Sequence, residues 1–216
     1  MNGRIASLAL APLAAALLSC SEIGAPTRAD IYEWRIIQTP DTFAFHWPRE
    51  VLPVRIWVQD IYELPQHTQA AIDGWKDGFL YREWDAELVS DSSTADVIVV
   101  SDFPLGPTIL LASVAECEGY TDLALDTDTR VLTLPIRIYV VPRFDPDLPA
   151  TRACFGIVMY HEIGHALGIF RHSPDPDDIM YFNPTSSTPT QRDFQTAEVL
   201  YHAPTTVTTT HGDDSP

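Results

Sequence analysis

The chain has 216 residues, with 30 acidic against 13 basic side chains and a formal net charge of −17 at neutral pH. That length suits one domain with appendages and can bury a hydrophobic core without a lattice of disulfides. Hydrophobic residues make up 45% and charged residues 20%, which excludes a disordered chain; the acidic excess argues against nucleic acid or an anionic membrane surface as partner, since both need basic patches.

Residues 1–19 read as an address. Arg4 precedes an apolar run from Ile5 to Leu18, shorter than the ~20 residues of a bilayer span but suited to an export signal. The run ends Leu17-Leu18-Ser19-Cys20, which resembles the lipobox of bacterial lipoproteins. The resemblance implies lipidation at Cys20 and a lipid-anchored protein of the cell envelope, in the outer membrane of a Gram-negative cell; an ordinary secretory signal is the alternative. Setting Cys20 aside leaves Cys117 and Cys154, and an exported compartment favours a disulfide between them over two buried free thiols. Residues 20–42 read as the lipidated Cys and a tether, 43–203 as one domain, and 204–216 (PTTVTTTHGDDSP), Thr-rich and acidic, as a disordered tail.

Within the domain, Val54, Ile56 and Val58 alternate with Arg55, Trp57 and Gln59, predicting a half-buried strand. Pro65 opens a helix on which Ala71, Trp75 and Phe79 recur every four residues. Trp84 to Val89 predicts a strand, and the continuous apolar run Ala95 to Val100 predicts a central one. Leu110 to Ala115 predicts a further strand, as do Ile136, Ile138 and Val140. A helix follows from about Thr151 to Ile169. The last helix opens at Thr188-Pro189, with Gln191 completing a capping box and Phe194, Ala197, Leu200 and Tyr201 as its apolar stripe. Strands with one early helix, then helices late, predict an α/β (α+β) sandwich.

The chemistry sits in YHEIGHALGIFRHSPDPDDIMYF. His161 and His165 are four residues apart on a predicted helix, so their imidazoles leave one face a single turn apart. Two nitrogens so placed can each approach one metal at the ~2.0–2.1 Å of zinc. Glu162 stands beside the first ligand, where its carboxylate can reach a metal-activated water without taking a coordination position. Gly168 follows three residues after His165, where the helix must stop and turn back. His172, Ser173, Pro176 and Met180 come next.

These residues resemble the metzincin metallopeptidases, and within them the matrixins, whose signature is H-E-x-x-H-x-x-G-x-x-H followed by a tight Met-turn beneath the metal. His161, Glu162, His165 and Gly168 match in place. Arg171 stands where the third histidine is expected and His172 comes one residue late, so a single inserted residue separates the two patterns. The resemblance implies one catalytic Zn²⁺ held by His161, His165 and His172, Glu162 as general acid/base, and Met180 as the floor of the site. Asp175 is the alternative third ligand. The wider resemblance covers most of residues 45 to 203 and implies a metzincin-like catalytic domain: a twisted mixed sheet packed by helices, an active-site helix, a Met-turn and a C-terminal helix.

The resemblance further implies an edge strand that pairs with extended substrate, for which Leu110 to Ala115 is the candidate. Tyr181 reads as packing rather than substrate contact. No Pro-Arg-Cys-Gly-type segment is present, so that family's latency switch is not expected. Asp122, Asp126 and Asp128 are the place for a structural Ca²⁺, but a solvated acidic loop is the simpler reading. His46, His67, His202 and His211 lack ligand spacing. The resulting expectation is a monomeric zinc endopeptidase acting on proteins or peptides; the alternative is a surface binding or adhesion lipoprotein whose zinc site is degenerate or idle.

Overall fold

The computed structural model describes residues 30–101, 113–114 and 116–212. The expected export signal and lipidation site Cys20, most of the Leu110 to Ala115 segment and the last four residues lie outside them.

A hairpin of β1 (Ile36–Gln38) and β2 (Asp41–Phe43) leads into β3 (Val54–Val58). Helix α1 (Leu64–Lys76) follows, then β4 (Ala86–Val89) and β5 (Val97–Val100). Next come β6 (Ser113–Val114), β7 (Cys117–Asp122), β8 (Leu125–Asp126), β9 (Val131–Leu134) and β10 (Ile136–Pro142). Helix α2 (Pro149–Leu167), α3 (Gln191–His202) and β11 (Thr208–His211) close the chain.

The main sheet runs β4-β3-β5-β10-β7-β6. Its first four strands are parallel, while β7 is antiparallel to β10. Alternation decides the buried face: Val54, Ile56, Val97, Val99, Ile136, Ile138 and Val140 are all at most 1% exposed, and helices α1 and α2 pack over the sheet. Trp75 on α1 is fully buried between them and donates its indole N–H to the Tyr160 carbonyl at 2.9 Å. The strands expected around Val54 to Val58, Trp84 to Val89, Ala95 to Val100 and Ile136 to Val140, and the two longer helices, are present close to the expected bounds. Among the described residues no helix is long and apolar enough to cross a membrane.

Both predicted appendages need correcting. The tether drawn over residues 20–42 is folded from residue 30: Tyr32 and Trp34 are buried, and β1 pairs with β2. Aromatic side chains there find a core surface, and the Trp34 carbonyl accepts from Phe170 N at 2.8 Å. The tail drawn over 204–216 is ordered through residue 212. Val207 is 3% exposed, and β11 lies parallel to β9 in a second sheet of order β11-β9-β8. Its threonines are β-branched residues that suit a pleated edge, a role their polarity concealed.

The last helix also starts later than expected. Thr190 is its N-cap, and the capping box pairs Thr190 with Asp193 instead of using Gln191. Asp193 wins because its carboxylate has further partners outside the helix. The predicted disulfide is present: Cys117 on β7 is bonded to Cys154 on α2.

Candidate metal centre

Helix α2 begins with Pro149 in its first turn and ends at Gly168, whose φ of 126° a β-carbon would strain. A β-carbon there would also collide with the Phe45 carbonyl oxygen. The reversal brings the Ile169 carbonyl back onto His165, where Nδ1 donates to it at 2.6 Å. His161 Nδ1 likewise donates to the Ile179 carbonyl at 2.7 Å. A neutral imidazole that donates through Nδ1 keeps its Nε2 as a lone pair. Those two Nε2 atoms face each other at 3.1 Å.

Two lone pairs at that distance repel unless a positive centre lies between them. A proton is disfavoured: burial, and then the neighbouring His172, lowers the His161 pKa to about 3. Burial also holds His165 well below its ordinary value and lowers His172. His172 completes the cluster from the following loop, and one nitrogen from each of the three rings lies within 4.8 Å of the others. Two zinc ligands ~2.0–2.1 Å from a tetrahedral centre stand roughly 3.3 Å apart, so the donor set fits zinc. The inserted Arg171 therefore does not remove His172 from the cluster. Asp175, the alternative ligand, instead pairs with Arg192 at the surface.

Met180 is fully buried, and its sulfur packs against Gly164 on the inner face of α2. The turn that carries it is fixed by two carboxylates. Asp193, fully buried, accepts from the backbone N–H of Ile179 at 2.9 Å, from Thr190 N–H at 2.8 Å and from the Tyr32 hydroxyl at 2.8 Å. Asp178, 1% exposed, accepts from Ser173, from Thr190 at 2.6 Å and from Arg192 Nε at 2.8 Å. Burial is the main cause that raises the Asp193 pKa, against the hydrogen bonds that lower it.

Glu162 is 2% exposed. Desolvation raises its pKa to about 8, opposed by a hydrogen bond from the Thr121 hydroxyl to Oε2 at 2.7 Å. A cation bound beside it would pull that value down. The wall facing Glu162 is β7, and β6 covers that strand only at Cys117 and Glu118. From Gly119 to Asp122 the outer edge of β7 has no partner strand among the described residues. The candidate edge strand Leu110 to Ala115 lies mostly outside the described residues; its Ser113–Val114 forms the short β6 beside β7.

Several functional neighbours escaped the sequence reading. Thr121 and Gly119 sit on a strand whose inward positions are Cys, Gly and Thr, too polar and too small to announce a buried face. Asp178 and Asp193 look like ordinary loop and helix acids. Phe182, whose ring lies 5.4 Å from that of His172, carries no spacing signal. Asp126 caps a turn through Asp128 N and Thr129 N. His46, His67, His202 and His211 lie apart from the cluster, in contact with Trp47 and Ala203 carbonyls, Phe155, Glu83 and Asp96 respectively.

A helix-borne His-Glu-x-x-His pair, completed by a loop histidine over a buried methionine, is the arrangement of a zinc-dependent metallopeptidase. The family profile described as Matrixin matches residues 86–202, more than half of the chain, and the chain belongs to the matrixin family. No curated protein matches it.

Proposed function

We propose that the protein is a zinc-dependent endopeptidase exported to the bacterial cell envelope and anchored there through lipid on Cys20. The observation that carries the reading is the tri-imidazole cluster with its two facing Nε2 lone pairs, one residue from a carboxyl buried against strand β7. His161, His165 and His172 would hold the metal. Zinc bound there supplies a Lewis acid that activates water and polarises the scissile carbonyl.

The protein's own groups do the rest. Glu162 takes a proton from the attacking water on a carboxylate oxygen and delivers it to the leaving amine nitrogen. An extended peptide adds along the β6–β7 side of the sheet, where β7 has no partner strand between Gly119 and Asp122 among the described residues. Backbone pairing fixes the scissile bond over the cluster while leaving side-chain choice to the surrounding pockets.

The test is cleavage of a mixed peptide library by the full chain, read by mass spectrometry beside Glu162→Ala. The wild type is expected to cut, and a chelator to stop it. Glu162→Ala should keep stoichiometric zinc and lose cleavage by about 10²- to 10⁴-fold. Undiminished cleavage by that variant would sink the mechanism, and a zinc-loaded wild type that cuts nothing would sink the activity. For the anchor, labelled fatty acid should enter the wild type and not Cys20→Ala.

A further inference from the structure

The three inward positions of β7 each meet α2, one turn further along at each step. Cys117 is bonded to Cys154. Gly119 lies so close to the helix that a β-carbon would overlap Val158 and come within 2.5 Å of Glu162 Oε1. Thr121, 8% exposed, places its hydroxyl 2.7 Å from Glu162 Oε2. Strand and helix run the same way, and their repeats nearly agree. Two strand residues advance ~6.6–6.8 Å and four helix residues ~6.0 Å, so the register drifts by less than ~1 Å per step. Over three contacts that drift is tolerable, and the first contact is covalent.

We propose that Thr121 is a positioning residue for the Glu162 carboxylate, and that the Cys117–Cys154 disulfide holds strand and helix in the register that delivers it. The inference rests on the reading of Glu162 as the proton carrier. The carboxylate sits on a side chain with three rotatable bonds, and the helix fixes only its first carbon. Gly119 leaves room for it against the strand, and the Thr121 hydroxyl selects one orientation by donating to Oε2. On the proposed function the same side of the sheet aligns the substrate, so β7 would set both the peptide and the proton carrier. A shift of β7 along α2 would displace the two together.

The test compares Thr121→Val, which keeps the shape and removes the hydroxyl, with Thr121→Ser, which keeps the hydroxyl. Both are made in the full chain and assayed on a quenched peptide built from a site that the wild type cleaves. A hydrogen bond to a charged group predicts a fall in kcat of about 10- to 100-fold for Thr121→Val. KM and zinc stoichiometry should be unchanged, and Thr121→Ser should restore kcat to within about threefold. Loss of kcat in both variants alike, or in neither, overturns the positioning role. The Cys117→Ser/Cys154→Ser pair should lower kcat in the wild-type background and have no further effect beside Thr121→Val. An equal fall in both backgrounds overturns the part assigned to the disulfide.

A second readout is independent of cleavage. Melting shifts of Thr121→Val, Glu162→Gln and their combination should be non-additive, because the two side chains touch. Additive shifts overturn the contact even in an active enzyme. A wild type that cuts nothing overturns the proposed function instead, and leaves the melting cycle to decide the contact.

Discussion

The cluster is assembled from two kinds of structure. His161 and His165 stand on α2, a helix whose Phe155, Met159 and Ile163 are fully buried in the core. His172 and Met180 stand on the irregular stretch between α2 and α3, which has little regular backbone pairing of its own. Its polar groups are satisfied by Asp178 and Asp193 together with a few local bonds, among them Ser173 N–H to the Met180 carbonyl at 2.7 Å. Packing holds the first pair; buried carboxylates hold the second. The two halves meet at the His161 Nδ1 to Ile179 carbonyl bond.

Breaking each half separately should give different signatures. Phe155→Ala removes a fully buried ring under α2 and is expected to cost about 3–5 kcal/mol of global stability in urea unfolding. Zinc affinity of the folded fraction should be unchanged, since no ligand contact is lost. A parallel fall in affinity would erase the distinction between the halves. Asp193→Ala strands the N–H groups of Ile179 and Thr190 and the Tyr32 hydroxyl, at a cost of about 3 kcal/mol. Here zinc affinity by calorimetry should also drop, by about 10- to 100-fold, because the Ile179 carbonyl orients His161.

Acid sharpens the comparison without a mutation. In chelator-treated protein the three imidazoles resist protonation when folded, His161 down to about pH 3 against an ordinary 6.5. Between those values the unfolded chain binds more protons, so their contribution to stability rises with pH up to about 6.5. Glu162 works in the opposite sense. With its pKa at about 8 folded against 4.5 ordinarily, its contribution is full below 4.5 and is lost as pH rises toward 8. Three imidazoles against two raised carboxyls, Glu162 and Asp193, predict a melting temperature of the metal-free protein that climbs to near pH 6.5 and then declines. A profile flat from pH 4 to 8 would contradict the burial of these groups.

The smallest effect is expected at the cap. Thr190→Ala removes the side-chain acceptor for Asp193 N–H and one donor to Asp178, and should cost about 1–2 kcal/mol, with zinc affinity lowered less than by Asp193→Ala. A loss as large as that of Asp193→Ala would mean that the cap, not the buried carboxylate, holds the Met-turn.

Legibility follows the same division. The helix half was readable because a His-Glu-x-x-His spacing and a helix-ending glycine are both local. Strands β3, β5 and β10 were readable because both faces of a parallel sheet, or one face in strict alternation, leave apolar patterns. Strand β7 was not, because Gly119 and Thr121 are chosen for contact with Glu162 and not for hydrophobicity. The true cap of α3 was missed because Asp193 is chosen by Ile179 and Tyr32, residues far from it in sequence. Tyr32, Trp34 and Val207 were placed in appendages because a short stretch with few apolar residues does not reveal that it will be used to close a core.

The sequence by itself determined the helix, its two histidines, the glutamate one place along, and the glycine that ends it, since each depends on neighbours within a turn. The resemblance to the matrixins further implied the third histidine, one residue later than the signature has it, and the methionine. The tertiary structure brings His172 into the cluster and Cys117 onto Cys154 as expected, and it alone decided that Thr121 faces Glu162 and that Asp193 holds the turn. Those outcomes depend on which strand packs on which turn of α2, and long-range register is written in the fit of many small contacts, not in any one segment.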